Sequence, residues 1–219
     1  MLASAVFMIA QSYVTQHYEA VKFDRALRSP SNFQSDSVLV GLPIGRLRIP
    51  SVGISAIVLE GDNAGTLRVA PGHIPGTALP DQNGNVAIAG HRDTFFRGLE
   101  AVRAGDNVTL TTFHGIYEYR VDAMEVVDPA RTDVLEPSGH PILTLVTCYP
   151  FHIIGPAPKR FIVRGHLIHS QAFRAQRQEV RHVQRKSQPY RFSPSRLRLF
   201  LVSAGERFNQ ILIRAKFTD

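Results

Sequence analysis

The chain has one cysteine in 219 residues, Cys148. A single thiol excludes an internal disulfide framework and any metal site built from several cysteines. Two readings stay open: an inert buried thiol, since cysteine is among the most buried residue types, or a nucleophile. No apolar run reaches the roughly 18 residues of a membrane-spanning helix, so a full transmembrane helix is not encoded. The apolar opening Met1–Ala10, MLASAVFMIA, is about half a span, and no basic residues precede it, which makes it a poor signal peptide. No aromatic–basic motif of the RNA-binding kind occurs, so nucleic acid is not an expected partner. His73, His114, His140 and His152 lack carboxylates at metal-ligand spacing; neither a metal nor another cofactor is expected.

Charge is present but uneven. The formal net charge is +7, yet residues 1–169 hold 14 Lys and Arg against 15 Asp and Glu. Residues 170–219 hold 11 against 3. The basic character belongs to the tail. An apolar fraction of 44% suffices for an ordinary core, and the length suits one domain with extensions.

Periodicity divides the chain. Residues 1–28 read as a helix, through the spacing of Tyr13, His17/Tyr18 and Val21. Residues 29–42 are a Ser-rich linker. From Pro43 the texture is β. Expected strands are Gly45–Ile49, Ile54–Leu59, Val86–Ala89, Val108–Thr112, Tyr117–Val127, ILTLVTC and RFIVRGHLI. A short helix and a three-proline loop cover NAGTLRVAPGHIPGTALP, and TFFRGLEAV makes a helical turn. Seven or eight short strands at this spacing, with little helix, indicate a closed barrel or a sandwich. After His169 the pattern fails: residues 170–219 form a basic, partly flexible extension. Within it, Leu197, Leu201, Ala204, Phe208 and Ile211 mark an amphipathic helix over 196–214.

A nucleophilic Cys148 needs partners, because a free thiol is only about 3% ionised at pH 7. Strand ends supply candidates. His91 follows NVAIAG, Cys148 follows ILTLVT, and Arg160 opens RFIVRG. Reactive side chains gathered at the ends of separate strands are how sheets and barrels build sites.

The segments GHRDTFFRGL, LTLVTC and APKRFIVRG, in the order His, Cys, Arg, resemble the motifs of sortases, the cysteine transpeptidases of the bacterial envelope. The combination is most similar to class D, and the resemblance covers residues 43–169. It implies an all-β fold: a closed eight-stranded barrel with short helices, to which the N-terminal helix and basic extension are added. It implies attack by Cys148, proton transfer by His91 and charge stabilisation by Arg160. It implies a substrate groove beside the 128–140 segment, with Val134 and Leu135 as apolar contacts and core packing as the competing role. Thr147, before the nucleophile, is a candidate substrate or oxyanion contact. Asp93 is a candidate for orienting His91, although HRDT could equally be a turn. The implied partners are envelope proteins bearing a C-terminal sorting signal of Leu-Pro-x-Thr-x type, and an amine acceptor of unknown identity. The implied location is the extracytoplasmic face of the envelope, with Met1–Ala10 as the remnant of a membrane anchor; the competing reading is a helix packed on the domain. The resemblance assigns the basic tail no role; contact with a membrane or anionic surface is one reading of its charge.

Two other readings use the same residues: a cysteine hydrolase with water as acceptor, and a β-barrel binding module with a structural thiol. Alkylation of the native protein separates the last from the others. A nucleophilic Cys148 is modified in the folded state, whereas protection until unfolding would favour the binding module.

Overall fold

Apolar alternation between proline and glycine breaks sets the local structure from Pro43 onward. The computed structural model describes residues 2–28, 39–153 and 155–173, with side chains from residue 10. Two α-helices are present among them, α1 (Leu2–Arg28) and α2 (Ala64–Val69). The strands are β1 (Pro43–Ile49), β2 (Ile54–Glu60), β3 (Gly72–His73), β4 (Asn85–Ala89), β5 (Asn107–Thr111), β6 (Gly115–Val127), β7 (Ile142–Tyr149) and β8 (Lys159–Ala172). Short 3-10 turns cover Pro50–Val52, Arg97–Ala101 and Asp133–Leu135. The strands close into a barrel in the order β1-β2-β3-β4-β7-β8-β6-β5. The expected all-β, eight-stranded barrel is the observed fold.

Local chemistry explains the breaks. Pro50 opens the β1–β2 turn and Gly53 closes it at φ 70°, in the left-handed region that suits glycine. Asn63 caps α2 by accepting a hydrogen bond from the Thr66 N–H at 3.0 Å. The strand absent from the sequence reading is β3, which lies in the expected three-proline loop. Two residues carry no periodicity. Its pairing arises from tertiary contacts, with Leu59–Glu60 on one side and Ile88–Ala89 on the other.

Register separates two faces. Leu143 and Leu145 of β7 pair with Val86 and Ile88 of β4 and belong to the main core. Phe96 and Leu99, fully buried in the loop after β4, join the same core. Val146 and Ile162, paired across β7 and β8, belong to a second cluster with Val127 and Val134. Ile74 and Leu135 pack against that cluster.

α1 docks on the barrel. Phe23 is buried against Ile57, Leu59 and Ala70, with its ring centroid 4.7 Å from that of Phe113. Because β3 reaches only Leu59 and Glu60, Ile57 has no strand partner on that side. Gln16 fills the gap: its side-chain amide donates to Ile57 O at 3.0 Å, and its carbonyl accepts from Ile57 N–H at 2.7 Å. Arg46 of β1 pairs with Asp24 at 2.7 Å. Among the described residues, no helix is long and apolar enough to cross a membrane. Of the expected linker, residues 39–42 lead into β1 and residues 29–38 lie outside the described ones. β8 runs on to Ala172, so the barrel takes the first residues of the expected extension. The proposed helix over 196–214 lies outside the described residues.

Phe23→Ala should lower unfolding free energy by about 3 kcal/mol in urea denaturation, the scale of a buried Phe truncation. A loss below about 1 kcal/mol would contradict docking of α1 in solution.

Candidate active site

β7 lies between β4 and β8, and the directions of the three strands bring the candidate residues to one end. β4 and β7 are parallel, so their C-termini emerge together. β8 is antiparallel to β7, so it begins where β7 ends. Cys148, near the end of β7, has Arg160, near the start of β8, as its partner in register. On the other flank Ala89 pairs with Val146. Gly90 extends that pairing, because its N–H donates to Val146 O at 3.1 Å. His91 is the next residue. The nucleophile candidate is therefore flanked by a histidine-bearing strand end and an arginine-bearing one.

Side-chain direction alternates along a strand. Leu143 and Leu145 point into the core, so Thr144, Val146 and Cys148 face outward. Cys148 is a free thiol, 7% exposed. Arg160 is equally buried, and its Nη1 donates to the carbonyls of Ala157 and Lys159 at 3.1 and 3.0 Å. Arg160 lines an apolar groove with Val134, Leu135, Val146, Ile162 and Ile74. The two apolar residues expected to form a groove wall thus meet the arginine and the strand that carries the cysteine.

The other expected residues take different places. Thr147, expected at the substrate, is fully buried, and its hydroxyl donates to Gly90 O at 2.7 Å. That bond ties the end of β7 to the residue before His91. Asp93 is exposed and lines a separate cleft of about 670 Å³ between α1 and the barrel, beside Tyr13, Gln16 and Arg97. Among the described residues no hydrogen bond joins Asp93 to His91.

Sequence reasoning missed the residues that hold the site. Gly90 lets the His91 loop fold back: a Cβ there would lie 2.8–3.0 Å from the Phe96 ring. Phe96 N–H in turn donates to His91 O at 3.0 Å. Asn85, 2% exposed, donates to Val134 O at 3.0 Å and Glu136 O at 3.2 Å. Its carbonyl accepts from the buried Thr144 hydroxyl at 2.7 Å. Arg164 Nη2 adds a longer bond, 3.3 Å, to Val134 O. This polar clamp fixes the groove wall to the outer face of β4, β7 and β8. A buried asparagine opening an apolar strand was the available signal for it.

The fold and site together define a closed β-barrel with a lone cysteine at a strand end, a histidine-bearing and an arginine-bearing strand beside it, and an apolar groove. The Sortase domain family matches residues 47–168, and the chain belongs to that family. Sortase D of Bacillus subtilis (strain 168) is 35% identical over 126 residues, covering 57% of this chain and 64% of that protein. The chain thus matches less than two thirds of that relative's length. The Clostridium perfringens sortase D5 transpeptidase superposes with TM-score 0.60 at 27% identity, over 73% of this chain and 99% of that one. A Clostridium perfringens sortase C, solved with the C-terminal cell wall sorting motif, gives TM-score 0.56 at 26% identity, over 69% and 86%.

Asn85→Ala should destabilise the fold by about 1–3 kcal/mol, since buried partners lose their hydrogen bonds. Proteolysis within residues 128–141 should also accelerate. Unchanged stability and cleavage would contradict the clamp.

Proposed function

We propose that the protein is a cysteine transpeptidase that cleaves a C-terminal sorting signal of Leu-Pro-x-Thr-x type and passes the acyl group to an amine. The observation that carries this reading is the register that sets Cys148 opposite Arg160, with the His91 strand end on the other flank and an apolar groove alongside. The relatives supply support of their own: one solved structure is named a transpeptidase and another holds the cell wall sorting motif.

The chemistry follows from the side chains. The Cys148 thiolate attacks the carbonyl carbon of the scissile peptide bond, and the carbonyl oxygen takes up negative charge. The planar guanidinium of Arg160 serves as a cation and donor for the developing oxyanion and the substrate backbone. His91, as imidazolium, protonates the departing nitrogen. The C–N bond breaks and a thioester remains. Neutral His91 then takes a proton from the incoming amine, which attacks the thioester carbon; the C–S bond breaks and the thiolate returns. Val134 and Leu135 offer apolar contact for the signal's leucine and proline. Thr147 acts through Gly90, holding the His91 strand end beside Cys148. Asp93 stands outside this constellation because it faces the α1 cleft.

Partners in this reading are envelope proteins with sorting signals, and the site of action is the extracytoplasmic face of the envelope. Water as acceptor would make the same residues a peptidase, because the acceptor decides only the second half-reaction. The Met1–Ala10 anchor and the surface contact of the basic tail remain parts of the proposal that rest on sequence.

The test is a panel of Leu-Pro-x-Thr-x peptides with several amines, with products identified by mass. Wild type should yield amide products, and Cys148→Ala none. His91→Ala should lower kcat by about 10²–10⁴-fold, and Arg160→Gln by about 10²–10³-fold. Activity should rise and fall between pH 6 and 9, because the working form needs thiolate and imidazolium together. Cleavage that survives Cys148→Ala, or a flat profile over that range, would contradict the mechanism.

A further inference from the structure

The residue after His91 is an arginine, and it is 8% exposed. Arg92 Nη1 donates to Pro150 O at 2.9 Å, and Nη2 donates to Gly155 O at 2.6 Å. Both carbonyls belong to the segment between β7 and β8, which starts two residues after Cys148 and leads to Arg160. Among the described residues, Arg92 forms no ion pair with a carboxylate. A buried guanidinium is costly to desolvate. Here its hydrogen bonding is directed at two backbone carbonyls, five residues apart, in the loop that joins the other two candidate residues. The planar fork of arginine suits two acceptors held in one geometry.

Neighbouring contacts run between the same two loops. His152 Nε2 lies 2.6 Å from Glu100 Oε1, joining the 150–158 segment to the 3-10 turn that ends the His91 loop. That pair is exposed and contributes little. On the barrel side, the Phe151 ring packs edge-on to Phe161 at 5.4 Å. Within the His91 loop, Phe96 is fully buried against Gly90 and its N–H bonds back to His91 O. Between these two loops Arg92 is a buried link.

We propose that Arg92 is a positioning residue for the thiol chemistry: its guanidinium staples the loop that carries His91 to the loop that follows Cys148. The two loops then move as one body, and the relation of His91 to Cys148 is held through every step. The proposal rests on the transpeptidase reading for its effect on rate; the staple itself is independent of that reading.

The experiment compares wild type with Arg92→Met and Arg92→Lys. Arg92→Met keeps the side chain's bulk and removes both donors. It should lower kcat for a cleaved sorting peptide by about 10- to 100-fold, because a fit held on the scale of about 1 Å is replaced by a loosened pair of loops. KM should stay within about threefold, since the groove wall is not touched. Arg92→Lys keeps the charge and one donor, and should recover part of kcat. Amide hydrogen exchange should rise together in residues 91–101 and 150–158 of Arg92→Met, with the rest of the barrel unchanged. A folded Arg92→Met with wild-type kcat, or exchange that rises in one loop alone, would overturn the proposal. If Arg92→Met does not fold, Arg92→Lys decides: kcat lowered at unchanged KM supports the staple, and wild-type kcat overturns it. If wild type cleaves no sorting peptide, the transpeptidase reading fails, and the exchange measurement still decides whether the loops are stapled.

Discussion

The site depends on the register of one strand. β7 pairs with β4 on one edge and β8 on the other, and this places Cys148 outward, beside Arg160 and next to the His91 strand end. A slip of one residue would turn Cys148 into the core and bring Thr147 or Tyr149 outward. Burial defends the register. Leu143 and Leu145 are nearly inaccessible inside the barrel, and exposing one such side chain costs about 1.5–3 kcal/mol. The slip would move the whole set at once. Closure of the sheet adds to this, because a barrel has no free edge along which a strand can be re-paired.

Around that register, polar groups do the fine placement. The hydroxyl of Thr147 ties β7 to Gly90, and the Asn85 amide with Thr144 and Arg164 ties the groove wall to the outer face. Thr147, Asn85 and Thr144 are buried, so each bond they lose leaves a desolvated partner and costs more than the bond's own net contribution. The arrangement divides labour in a way that can be read residue by residue. Apolar side chains choose the register, buried hydrogen bonds fix the loop positions, and Cys148, Arg160 and His91 stand at or just beyond the strand ends.

Much of this was legible in the sequence because strand periodicity and proline or glycine breaks are local signals. Strands β1, β2 and β4–β8 were expected within a few residues of where they fall. So was the convergence of His91, Cys148 and Arg160 on strand ends. β3 was not legible, since two residues gain their pairing only from neighbours. The hydrogen bond from Thr147 to Gly90 was not legible, since the alternation that turns its side chain away from that of Cys148 shows only once the strand is placed. The role of Arg92 was not legible either, since its hydrogen-bond partners Pro150 and Gly155 lie 58 and 63 residues later. His73 and His152 show the same limit, since their partners Glu60 and Glu100 lie 13 and 52 residues away.

In the proposed reaction Cys148 carries the acyl group between two half-reactions. Intact-mass measurement of the protein, quenched in acid during turnover of a Leu-Pro-x-Thr-x peptide, tests it most directly. A protein species heavier by the peptide's N-terminal fragment, mapped to Cys148 and discharged by added amine, is expected. Turnover with no adduct on Cys148, or with the adduct on another residue, would contradict it.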